Sequence, residues 1–194
     1  MLTGIKYFLT ISVVTLSFQW LWAHKESTGP GLRGYFQEKS DTIHWSSAYR
    51  LTYDDFQGIP KPKGSSDRDT LAICAYKIKY QIKMVGPDLK INAFAVFERN
   101  NSWIKEKSVW VLDHEQGHFD IAEIFALQFE KKANDTTIKD VHVFLDFLNT
   151  SFKETAAECN AEQEKYDIQT MNTLGKQYYS KWIKEQLDSL AKGR

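Results

Sequence analysis

The sequence predicts an α+β domain, with strands first and helices after. Three observations carry this reading. Residues 71–85 and 89–99 alternate apolar and polar side chains around Gly86, Pro87 and Asp88, the period-two pattern of a hairpin with one buried face. From Val109 the apolar residues recur at helical spacing instead. No strand pattern returns after Asn134. A small N-terminal antiparallel sheet packed on a C-terminal helical part is therefore expected, in one domain over residues 41–192.

In chain order, residues 1–23 hold one charge, Lys6, and an apolar run ending in Leu21-Trp22-Ala23. That layout is a signal peptide, which implies export to the periplasm or beyond and no stable membrane association after cleavage. Residues 24–40 are polar and Gly-rich and read as a flexible lead-in. Thr42-Ile43-His44-Trp45 is a short strand, residues 51–60 end in turn signals, and 61–69 form a Pro-, Gly- and Ser-containing loop. In the hairpin, Ile78, Tyr80, Ile82 and Met84 are set against lysines and Gln81. Ile91, Ala93, Ala95 and Phe97 form the matching face. Its bland role is to cover a helix. A sheet edge that binds a peptide as an extra strand is the alternative. Asn100-Asn101-Ser102 breaks the sheet, and Ser102 or Ser108 caps the helix that follows. Beyond Asn134 the pattern predicts helices over 138–152, 154–169 and 176–191.

The chemistry lies in the helix at 109–134, which carries His114-Glu115-Gln116-Gly117-His118. Residues i and i+4 share a helix face, so both imidazoles reach one metal ion. Two neutral His ligands and an adjacent carboxylate form the zinc-hydrolase arrangement, with Glu115 taking a proton from water. Ala122, Phe125 and Phe129 continue the histidine stripe, so that stripe faces inward. Two hydrogen-bonded core histidines are the competing account.

A catalytic zinc site takes a third protein ligand. Ile124 stands six residues after His118, which removes an H-E-x-x-H-x-x-G-x-x-H site. Glu123 points away from the histidines. The candidates left are Asp167, Glu158, Glu162, Asp140 and His142. Tyr166 reads as an oxyanion donor or, more simply, as a core aromatic. Cys74 and Cys159 form an even pair in an exported chain and predict a disulfide between sheet and helices. With 25 basic and 25 acidic residues, the chain offers no field for nucleic acid.

Four segments together resemble a known group: Ile43-His44-Trp45, Leu51 through Pro60, Leu112 through Glu123, and Gln163 through Thr170. They are similar to a bacterial family of uncharacterised secreted proteins predicted to be zinc-dependent proteases. The resemblance implies export, zinc at His114 and His118, Glu115 as base and a protein or peptide substrate. The family tends to continue Tyr-Asp-x-x-Thr-x-His, whereas here that last position is Asn172. A zincin-like zinc metallopeptidase is the function expected, with Asp167 as third ligand. A non-catalytic envelope or secreted binding protein with a degenerate metal site is the alternative.

Overall fold

The structure is a computed structural model, and it describes residues 40–60, 70–86 and 88–192. The leader, the lead-in up to residue 39 and the 61–69 loop lie outside the described residues. The fold is α+β. Strands β1 (Thr42–His44), β2 (Ala72–Ile73), β3 (Tyr76–Val85), β4 (Asp88–Glu98) and β5 (Trp103–Ile104) precede helices α1 (Val109–Asn134), α2 (Val141–Gln169) and α3 (Thr173–Ala191). The main sheet is antiparallel with order β1-β4-β3, and β2 pairs separately with β5.

The hairpin keeps the expected register: Tyr76 faces Phe97, Ile78 faces Ala95 and Ile82 faces Ile91. Gly86 turns it with φ +62°, in the left-handed region that glycine enters without steric cost. The strand expected over 71–85 is split in two. Ser102, buried at the split, accepts from Ala75 N at 2.9 Å and donates to Glu98 O at 2.7 Å. Those bonds end one pairing and begin the other. Met84 lies beyond the cover of the helices and is exposed.

The inner face of β3 and β4 packs on α1. Ala93 and Ala95 on the strand and Ala122 and Ala126 on the helix are fully buried. Their small side chains let helix and sheet approach closely. Past Trp45 the edge of β4 has no strand beside it, and α1 takes that place. Glu123 accepts from Ala95 N, Glu130 accepts from Ala93 N, and the Asn134 amide bonds both N–H and C=O of Ile91. An edge covered in this way is closed to further strands.

The segment 51–60 is a clasp. Asp55, fully buried, pairs with Arg99 at 2.9 Å and accepts from Tyr49 Oη and Thr52 N at 2.8 Å each. Gly58 donates to Ser102 O at 2.7 Å, and a Cβ there would stand 2.8 Å from that oxygen. Leu51 N bonds Gln116 and Trp45 Nε1 bonds Asp120, each at 2.8 Å. The clasp thereby fixes α1 beside its two histidines.

Two further expectations are corrected. Residues 141–169 form one helix, not two. No Gly or Pro interrupts 138–169, and the buried stripe of Phe144 and Leu148 runs on through Ser151, Thr155, Cys159, Gln163 and Tyr166. Cys74 and Cys159 are free buried thiols, not a disulfide. Cys159 lies between Tyr76 Oη and Gln163 Nε2, each 3.9 Å from its sulfur, and burial pushes its pKa up to about 12. Among the described residues no helix is long and apolar enough to cross a membrane.

Candidate metal centre

Ser108 caps α1, accepting from Val111 N at 3.2 Å, and the helix sets His114 and His118 one turn apart. Asp167 comes from the last turn of α2. His114 Nε2, His118 Nε2 and Asp167 Oδ1 lie 3.0–3.1 Å from one another. They form the one group of three or more potential ligands found among the described residues.

The remaining candidates lie elsewhere. Asp140 is the N-cap of α2, accepting from Val143 N. His142 and Glu158 are exposed, and Glu162 is held by Tyr179 Oη and Lys165. Asn172, at the position where the resembling family has His, caps α3 by accepting from Gly175 N at 2.9 Å. Glu123 faces the sheet edge, as its helix position requires.

The outer hydrogen bonds determine which atoms face inward. Gln163 Nε2 donates to His118 O at 2.9 Å, so its Oε1 is the atom 2.5 Å from His118 Nδ1. An amide oxygen only accepts, and His118 therefore carries its hydrogen on Nδ1. Thr170 Oγ1 donates its one hydrogen to Tyr166 O at 2.6 Å, so it accepts from His114 Nδ1 at 3.2 Å. Both Nε2 lone pairs thus turn toward Asp167. Outward Nδ1–H bonds of this kind orient metal-ligating histidines.

Tyr166 completes the frame. Its ring stacks on His114 at 4.8 Å and its hydroxyl donates to His114 O at 3.1 Å. Trp110 stacks on the same ring at 5.7 Å, so His114 is held between two aromatic planes. A Cβ on Gly117 would stand 2.1 Å from Tyr166 Oη. The mid-helix glycine is there to admit Tyr166, which serves as a packing residue rather than an oxyanion donor. Sequence reasoning missed Gln163, Thr170 and Trp110 as parts of this site. Their one signal was spacing, since Gln163 lies four residues before Asp167 and Trp110 four before His114.

Electrostatics follow from burial. Glu115 is buried, and burial pushes its pKa up to about 7; His118 and a hydrogen bond from the Cys74 backbone oppose this, and Asp167 adds to it. Burial likewise lowers the pKa of His114, with the Asp167 hydrogen bond opposing. For His118 burial acts downward, but the Asp167 hydrogen bond and charge outweigh it and raise the pKa. Glu115 Oε2 is buried with no hydrogen-bond partner among the described residues.

The donor set fits a divalent metal. Two imidazole nitrogens and a carboxylate suit tetrahedral zinc, whose ligand atoms stand roughly 3.3 Å apart at bond lengths of about 2.0–2.1 Å. The 3.0–3.1 Å triangle is within a small adjustment of that figure. In the metal-free cluster a proton on a histidine Nε2 pairs the ring with Asp167, in line with the raised His118 pKa, and a metal cation would take that proton's place. A groove of about 750 Å³ between α1, α3 and residues 45–50 runs past Gly117 and Tyr166 and is not lined by the three ligand residues.

Fold and site together define an α+β protein whose long helix and its successor build a His-His-Asp cluster of metal-ligand type. The chain belongs to the family described as bacterial protein of unknown function (DUF922), which matches residues 26–175. The match takes in all five strands, α1, α2 and the whole cluster. Searches of curated proteins and of solved structures gave no match.

Proposed function

We propose that the protein is an exported, zincin-like zinc metallopeptidase. One observation carries the reading. His114 Nε2, His118 Nε2 and Asp167 Oδ1 converge within 3.1 Å of one another, while the buried Glu115, which follows His114 in the chain, has an unpartnered oxygen among the described residues. His114, His118 and Asp167 would hold the ion. Zinc bound there supplies a Lewis acid that polarises a carbonyl and lowers the pKa of water to about 7. Glu115 Oε2 accepts the proton of the attacking water and returns it to the leaving amine. Burial raises the pKa of Glu115 in the metal-free protein, so it holds a proton more readily than an exposed carboxylate does. Gln163 and Thr170 keep both Nε2 lone pairs inward, and the Trp110–His114–Tyr166 stack prevents the ring from turning.

The test is zinc content and peptide hydrolysis in the native protein beside Glu115→Gln. Equal zinc and lost hydrolysis in the variant are expected. Equal hydrolysis in both proteins would remove Glu115 from the mechanism and the peptidase reading with it. The near-complete burial of Glu115 and His118, and a groove along α1 that misses the ligands, favour one alternative: a non-catalytic binding protein whose metal only stabilises the fold. Stoichiometric zinc without hydrolysis of any peptide would select that alternative.

A further inference from the structure

The two edges of the main hairpin are finished differently. On β4 the N–H groups of Ile91, Ala93 and Ala95 turn away from β3 and meet Asn134, Glu130 and Glu123 of α1. Along an antiparallel pair, residues that exchange bonds alternate with residues whose main-chain groups turn outward. Ile78, Tyr80 and Ile82 stand opposite Ala95, Ala93 and Ile91. They and Met84 therefore turn their own N–H and C=O groups outward, to the far side of β3. Among the described residues no strand lies beyond β3, and none bonds these groups as α1 does on β4.

Of the devices that close an exposed edge, β3 has one, lysine. It is ten residues long and holds no proline, and its register with β4 runs from Tyr76 to Val85 without a bulge. Its inward side chains, Tyr76, Ile78, Tyr80 and Ile82, include no charge. The outer face carries Lys77, Lys79 and Lys83 on β3 and Lys90 on β4, and Asp88 is the one acidic residue from 76 to 97. Lys77 pairs with Glu98. Lys79, Lys83 and Lys90 have no acidic partner among the described residues. Lys83 and Lys90 stand directly opposite each other, where like charges repel. A second copy of β3 on this edge would bring two lysine rows together and is disfavoured for the same reason.

We propose that the free edge of β3 binds an extended segment of a partner protein in which acidic and apolar side chains alternate. The segment spans residues 78–84, a length of about seven residues. Directly opposite residues of paired strands share a face of the sheet. The acidic side chains of the segment therefore lie beside Lys79 and Lys83 on the outer face. Its apolar side chains lie beside Ile78, Tyr80 and Ile82, where the Tyr80 ring rests on Phe152 of α2 at 5.1 Å. Main-chain bonds supply the affinity of such an added strand, and its side-chain pairs supply the choice of partner. This interaction needs no metal at the cluster and goes beyond the metallopeptidase reading.

The probes are short peptides of alternating glutamate and valine, of alternating lysine and valine, and the glutamate–valine peptide with every amide N-methylated. Binding to the full chain is followed by fluorescence anisotropy and by hydrogen exchange of backbone amides in NMR spectra. The glutamate–valine peptide is expected to bind at least tenfold more tightly than the lysine–valine peptide, and the N-methylated one not at all. It should slow exchange at Ile78, Tyr80, Ile82 and Met84 at least tenfold. Exchange at Lys79, Gln81 and Lys83, which turn their amides to β4, should stay unchanged. The double variant Lys79→Glu, Lys83→Glu replaces two outward side chains and should reverse the preference. No binding of the glutamate–valine peptide, binding without protection of those four amides, or a preference unchanged in the double variant would overturn the proposal. So would four amides that already exchange as slowly as Lys79 and Gln81 in the free chain: in a monomer the chain's own residues would then cover the edge, and in a dimer a second copy.

Discussion

The two sides of α1 bury polar groups to opposite ends. Toward β4, Glu123, Glu130 and Asn134 stand opposite main-chain groups of Ala95, Ala93 and Ile91. There each side-chain acceptor meets an N–H, and the result is a covered sheet edge. Toward α2, His114, His118 and Asp167 turn acceptor atoms at one another. The same helix thus carries a structural seam on one side and a candidate metal centre on the other. Burial and charge do not distinguish them, since Glu123 is as buried as Glu115. What distinguishes them is whether an acceptor faces a donor or another acceptor.

The comparison can be broken or sharpened by substitution. The largest effect is expected for Glu115→Gln, where peptide hydrolysis should fall roughly 10²–10⁴-fold, the usual contribution of a general base. Zinc content and melting temperature should stay at native values. Next comes removal of the metal. At free zinc a thousandfold above Kd, binding to the folded state adds about 4 kcal/mol, and chelation should lower Tm by roughly 8–16 °C for a chain of this size. Calorimetric scans with and without chelator measure it, and superimposed scans would contradict a stabilising metal.

Gln163→Ala leaves the His118 Nδ1–H without its acceptor. Zinc affinity should drop about 10–100-fold, the range for lost outer partners of metal ligands, as read by competition with a zinc indicator. The smallest effect belongs to the seam. Glu123→Ala removes the acceptor of Ala95 N–H and should cost about 1–3 kcal/mol in urea unfolding, with zinc content unchanged. Zinc loss in Glu123→Ala, or none in Gln163→Ala, would erase the distinction between the two sides.

The parts of the fold visible in the sequence are those where apolar side chains mark the buried face. The Tyr76–Val85 strand alternates and Phe125 and Phe129 repeat at helical spacing, so the sheet and the helix of the two histidines are legible. The second half of α2 was not seen as a continuation of the first. Its buried stripe is Ser151, Thr155, Cys159 and Gln163, residues that a polarity pattern assigns to solvent. They are inside because they continue, on one unbroken helix, the buried stripe that Phe144 and Leu148 begin. Asp167 was one of five candidates for the same reason: a carboxylate near a helix end is usually solvated, and only the packing of α2 across His114 singles it out. The roles of Glu130 and Asn134 at the sheet edge are not legible in the sequence, and Glu123 reads there only as pointing away from the histidines, because a helix standing in for a strand has no local signature. The disulfide expectation took compartment as sufficient, and the structure places Tyr76 and Gln163 at the Cys159 sulfur instead.

The central claim is that three converging acceptors hold a divalent cation. Elemental analysis tests it most directly, on full chains prepared with trace zinc and dialysed: the native protein, His118→Ala and Glu123→Ala. The account predicts about one zinc per chain in the native protein and in Glu123→Ala, as for a site of three protein ligands, and close to none in His118→Ala. A native protein that keeps no metal, or a His118→Ala variant that keeps as much as the native one, would contradict it and leave His114 and His118 as core histidines bonded to Thr170, Gln163 and Asp167.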